Sequence, residues 1–212
     1  NFGNNVIGTF GAKYLATGLQ YCTKLKEVTF SNTKILGMGT KQVAQALKQC
    51  DAMESFEIST NSFGTIGAFA ISNSLPLWKN LQTLDVTDNG IDFIGAVSFA
   101  KGLSHCPKLQ TLRLSKNNIE STGAKSIASA LNACKATLKH LNISANAIGD
   151  EGWYAMYKVL QCCPVLRHLN ASNNELSMQC QAELDLFLTT KRSLLNIFKR
   201  HTSSFADIQI LR

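Results

Sequence analysis

The side chains best suited to hold a metal or attack a carbonyl are four histidines and seven cysteines. His140, His168 and His201 fall near one phase of the pattern described below, and His105 stands apart. Stacked in a regular fold, those three could line one stripe. A metal centre there would also need carboxylates or thiolates at the same spacing, and none recurs. Cys162-Cys163 followed by Cys180 does not supply a short-spaced ligand set. The sequence holds no phosphate-cradling G-x-x-x-x-G-K-[ST] loop and no G-x-S-x-G nucleophile elbow. No Ser/His/Asp grouping emerges. The expectation is a protein without catalytic residues, cofactor or metal.

The elements that carry these residues are legible from one stretch. Leu109-Gln-Thr-Leu112-Arg-Leu114-Ser-Lys-Asn117-Asn-Ile119 alternates apolar and polar with period two, as a half-buried strand does. Gly123, Ile127, Leu131 and Cys134 then follow at helical steps of three and four. The leading leucine recurs as Leu25, Met53, Leu81, Leu109, Leu138, Leu166 and Leu194, at steps of 28, 28, 28, 29, 28 and 28. This unit resembles the leucine-rich repeat. Its length and strand-plus-helix form look most like the ribonuclease-inhibitor type, and the resemblance covers nearly the whole chain.

That resemblance implies an α/β fold: a right-handed solenoid shaped as a horseshoe arc. Parallel strands line the concave face and helices the convex face. Residues 1–212 read as one repeat domain. Residues 1–24 are a partial repeat whose opening part is expected to be missing. Full repeats start at 25, 53, 81, 109, 138 and 166, and 194–212 form a C-terminal cap. Within the cap, 194–200 and 206–211 are expected to pair as strands that close the sheet. Pro76, Pro107 and Pro164 lie where each helix must stop. Asn5, Asn61, Asn89, Asn117, Asn146 and Asn174 stand where the chain leaves each strand. An amide there can satisfy turn backbone that would otherwise be buried unpaired. The recurring glycine is expected to let helix and strand backbones approach closely.

Cys22, Cys50, Cys106, Cys134 and Cys163 occupy one slot in five repeats, which reads as buried free thiols in a reducing, cytoplasmic compartment. No apolar run approaches the roughly 18 residues of a membrane span. Asn142-Ile-Ser144 and Asn170-Ala-Ser172 match the glycosylation sequon, but both fall in strands. The net charge of +7 is uneven, +1 over residues 1–107 and +6 over 108–212.

Function then falls to the strand positions that face outward, since side chains alternate along a strand. The acidic ones come first, Glu27, Glu54, Glu57, Asp85 and Asp88. The basic ones and histidines follow, Arg113, Lys116, Lys139, His140, Arg167 and His168. The charge step lies near Asp85–Arg113. These residues are the candidate partner-binding site. The reading is a non-catalytic protein–protein interaction module or scaffold subunit of an intracellular assembly, cytoskeletal or ciliary ones included. The partners are proteins, with no membrane. The outward strand positions offer few aromatic stacking platforms, which argues against nucleic acid. The alternative is a GTPase-activating protein resembling the Ran type. That family usually carries an acidic tail, whereas this chain ends basic.

Overall fold

The structure, a computed structural model, describes residues 1–190, 197–200 and 207–210. Strand and helix alternate along it. Helix α1 (Gly8–Leu19) comes first, then β1 (Glu27–Thr29), α2 (Leu36–Ala46), β2 (Ser55–Glu57), α3 (Gly64–Ser72), β3 (Thr83–Asp85) and α4 (Phe93–Leu103). The second half holds β4 (Thr111–Arg113), α5 (Glu120–Leu131), β5 (His140–Asn142), α6 (Gly149–Leu160), β6 (His168–Asn170) and α7 (Met178–Thr190). Two further strands follow, β7 (Ile197–Arg200) and β8 (Asp207–Ile210). Among the described residues no helix is long and apolar enough to cross a membrane.

Strands β1 to β6 form one parallel sheet in sequence order. Its register follows the repeat: Thr83 lies opposite Thr111, and Thr111 opposite His140. The 29-residue unit therefore costs the sheet nothing. Its extra residue sits in the bend after Cys134, which lacks the proline of its neighbours. There the Thr137 hydroxyl lies within 3.1 Å of the carbonyls of Pro107, Leu109 and Cys134, and donates to one at a time. At the far edge β8 joins β6 antiparallel, with Gln209 opposite Asn170, and β7 pairs antiparallel with β8. The expected terminal strand pair is present over 197–200 and 207–210. Its later strand, not its earlier one, lies next to β6. Residues 194–196, 201–206 and 211–212 lie outside the described residues.

The period-two pattern buries one sheet face. Val28, Phe56, Leu84, Leu112, Leu141 and Leu169 are all buried, as are Phe30, Ile58, Val86, Leu114, Ile143 and Ala171. Helices cover that face, and because they need about 10 Å between axes against about 4.8 Å between strands, the stack curves with the sheet inside. Cys50, Cys106, Cys134 and Cys163 are buried as expected, but Cys22 is exposed. Burial pushes the Cys106 and Cys134 thiols up to about 12. Trp78 fills the same slot in its repeat, where its indole N–H donates to the Leu47 carbonyl at 3.0 Å.

The recurring glycine brings helix against helix rather than helix against strand. A Cβ on Gly123 would lie 2.7 Å from Ala96 Cβ, and one on Gly152 would lie 3.0 Å from Ala124 Cβ. Helices α2, α4, α5 and α6 thus seat a glycine on an alanine of the helix before, whereas α2 carries Thr40 at the alanine position below Gly67. The equivalent pair between α6 and α7 is Trp153 and Cys180. Trp153 is fully buried with no hydrogen-bond partner for its indole nitrogen. Its ring lies 6.3 Å from that of Tyr157, which packs edge-on against Phe187 at 5.4 Å.

The asparagines form a ladder beneath the sheet's exit turns. The Asn117 carbonyl oxygen accepts the N–H groups of Asn89 and Ile91, both at 3.0 Å. Its Nδ2 lies within 3.2 Å of the Val86, Leu114 and Ser115 carbonyls. Asn61 repeats the arrangement, and Asn89 and Asn174 repeat it with one N–H accepted. One rung differs. Asn146 Oδ1 is buried without a partner, and the Asn117 N–H does not reach it. The cause is local. Ser62, Gly90, Ala147 and Glu175 adopt left-handed backbone at the residue after the asparagine, as does Lys34 after Thr33 at the same slot, and Asn118 does not. It bridges to Asp92 instead and donates its N–H to the Ile91 carbonyl at 2.8 Å.

Candidate protein-docking surface on the sheet

The sheet's outward positions are set by its register. Opposing residues on neighbouring strands stand close enough for their side chains to interact. Thr29, Glu57, Asp85, Arg113, Asn142 and Asn170 run across β1 to β6 as one row. Glu27, Ser55, Thr83, Thr111, His140 and His168 form the row beside it, two residues earlier in each strand. Asp88 and Lys116 lie just past the strands, exposed and in left-handed backbone. Glu54, Lys139 and Arg167 precede their strands. The structure therefore gathers all eleven predicted residues at or beside the sheet: Glu27, Glu57, Asp85, Arg113, His140 and His168 on strand positions that alternate with the buried ones, and Glu54, Asp88, Lys116, Lys139 and Arg167 at the strand ends. Glu27, Asp88, Arg113, Lys116 and Arg167 are exposed, and the other six are half-buried.

Several of these groups already have partners within the sheet. The Glu54 carboxylate meets Lys26 Nζ at 2.9 Å. The hydrogen bond and the charge of Glu54 raise the Lys26 pKa above its ordinary value. Arg113 meets Asp85 at 3.7 Å, and the other Asp85 oxygen accepts the Thr87 N–H at 2.9 Å. Lys139 donates to Gln110 Oε1 at 2.8 Å, and Gln110 donates to Gln82 at 3.2 Å. His140 and His168 stack with ring centroids 4.4 Å apart and planes 12° from parallel. His201 lies outside the described residues. Among the described residues no three metal-ligating side chains cluster.

Reading the rows along each strand finds the charged positions but misses this pairing between repeats. Lys26 is the clearest omission: it neutralises Glu54 from one repeat away. The signal was present as opposite charges 28 residues apart. Two asparagine–serine pairs were also missed as positioned groups. Asn142 Oδ1 accepts from both the N–H and hydroxyl of Ser144, and Asn170 does the same for Ser172. These bonds fix the two amides in the centre of the sheet, pointing at the same solvent layer.

Comparison with known proteins bears on the fold. The family model described as Leucine Rich repeat matches residues 79–100, 105–128 and 134–156. Among solved structures, the leiomodin-1 actin-binding site 2 domain superposes with a TM-score of 0.54 at 16% identity. The superposition covers 84% of this chain and 95% of that one. At that identity the likeness speaks to the fold alone. No curated protein matches the chain.

Proposed function

The chain is a leucine-rich repeat protein, and we propose that it works as a non-catalytic docking module that engages a protein partner through the outward rows of its sheet. One observation carries this: charged side chains of the two signs stand in register on opposite halves of a single curved surface. Complementary potentials of that kind speed encounter and fix orientation more than they add affinity. The internal pairs at Lys26–Glu54 and Asp85–Arg113 take part of the charge out of play. Glu27, Glu57 and Asp88 are left to define the acidic end, and Lys116 and Arg167 the basic end. Free thiols throughout suit a reducing compartment. The leiomodin domain is an actin-binding site, which makes actin the first partner to test.

The test is a triple charge reversal, Glu57→Lys, Asp85→Arg and Arg113→Asp. It keeps one ion pair across the β3–β4 rung while inverting the polarity of the row. Partners captured by the parent chain and identified by mass spectrometry, with actin co-sedimentation alongside, should be lost by the variant at an unchanged melting temperature. Capture that survives the reversal places the docking surface elsewhere. Stimulated GTP hydrolysis by the purified chain with a small GTPase would replace this reading with the GTPase-activating one.

A further inference from the structure

A second surface stands on the helical side. Phe10, Met38, Ile66 and Ile94 occupy one position in four successive repeats, exactly one repeat length apart, and are 80, 49, 53 and 50% exposed. The next three repeats put Thr122, Glu151 and Gln179 at that position. The fold therefore accepts polar residues there, and the four apolar ones answer no folding requirement. Exposed apolar side chains recurring at one slot of adjacent helices point to an interaction site.

The later repeats also show what should lie beside it. Lys125 forms an ion pair with Glu151, linking the position three residues further along one helix to this position in the next. Lys13 and Lys41 hold the equivalent places against Met38 and Ile66. Among the described residues neither lysine has a carboxylate partner. Lys41 and Ile66 line one groove between α2 and α3, closed at its other side by Phe69. Helices α1 to α4 contain three lysines and no acidic residue, whereas α5 to α7 contain five acidic residues and two lysines.

We propose that this outer strip is a docking site for an amphipathic helix of a protein partner, one that carries carboxylates beside its apolar face. Its leucine-like side chains would cover Met38, Ile66 and Ile94. Its carboxylates would meet Lys13 and Lys41 as Glu151 meets Lys125. Four helices at about 10 Å between axes span ~30 Å, the length of a helix of ~20 residues. The wall curves outward, so a flat bilayer would reach only part of the strip, whereas a helix can bend to follow it.

The probe is a labelled synthetic peptide of about 20 residues, with leucine at heptad a and d positions and glutamate flanking them. It is titrated with the whole chain by fluorescence anisotropy. It should bind, and Met38→Glu/Ile66→Glu should weaken binding about tenfold or more. Glutamate already stands at this position as residue 151, so the variant should keep its melting temperature. Met38→Gln/Ile66→Gln repeats the test without added charge. Thr122→Glu should bind as the parent does, and Lys41→Glu should weaken binding. The proposal is overturned if the acidic peptide does not bind, or binds the double variants equally well. It is also overturned if a lysine-for-glutamate peptide binds as tightly. Two other occupants would replace it: phosphatidylserine-containing vesicles, or a second copy of the chain seen by ultracentrifugation, if the double variant abolishes either.

Discussion

The early repeats and the late ones share a register and differ in how their layers meet. At α2, α4, α5 and α6 a glycine sits on an alanine of the helix before. Between α6 and α7 that small pair becomes Trp153 and Cys180, and a cluster with Tyr157 and Phe187 fills the interval. The asparagine ladder shows the same divergence, complete around Asn61 and Asn89 but broken between Asn117 and Asn146. Outer surfaces part ways too, basic and apolar early, acidic late. A solenoid needs only that each layer fit its neighbours. This chain satisfies that condition in two different ways along its length, which leaves each end free to carry its own surface.

The sharpest way to break this comparison is at the late junction. Trp153→Ala should destabilise the chain by about 3–5 kcal/mol, the cost of emptying a fully buried aromatic site. Adding Cys180→Gly restores the small pair of the earlier layers and should recover part of the loss if the two positions couple as their repeat slots do in the earlier layers. Urea unfolding of the singles and the double gives the coupling. Additive losses would mean that α7 does not rest on Trp153.

A smaller effect separates the two kinds of rung. Asn117→Ala leaves two part-buried N–H groups without an acceptor and three carbonyls short of a donor. Asn146→Ala removes only donors, since its oxygen accepts nothing. Asn117→Ala should be the more destabilising by roughly 1–2 kcal/mol. Equal unfolding midpoints for the two variants would erase the distinction between intact and broken rungs.

The smallest expected effect is with acid. Hydrogen bonds from Ser177, including its backbone N–H at 2.7 Å, hold the Asp150 carboxyl below its ordinary value. A folded pKa below the unfolded one gives stability that is present above the unfolded pKa and lost as pH falls through the folded one. The junction before α7 should therefore loosen as pH drops below the usual carboxylate range. Asp150→Asn should flatten that acid dependence, read as melting temperature against pH. An unchanged slope would show that Ser177 is held by other means.

Much of this was legible in the residues. Leu81, Leu109 and Leu138 announce the period, and Asn89 and Asn117 announce the exit turns, because each slot demands one side-chain chemistry in every layer. The outward rows followed from alternation alone. What could not be read were relations between layers. The Lys26–Glu54 bond needs two repeats set side by side. The idle oxygen of Asn146 depends on the path taken by Asn118, which no side-chain pattern encodes. The glycine was assigned to the wrong contact, since spacing says that something approaches but not what. Trp153 was passed over because one large apolar residue in a helix looks like any other core residue.

The bend at residues 134–137 has a practical consequence. It admits one more residue than its counterparts while the inner wall stays in step on both sides, with Thr137 tying the slack to carbonyls of the preceding turn. Length can thus be added there without the opposite surface sensing it. A fluorophore-bearing or affinity-tag loop grafted at this corner should leave the strand register on both sides unchanged.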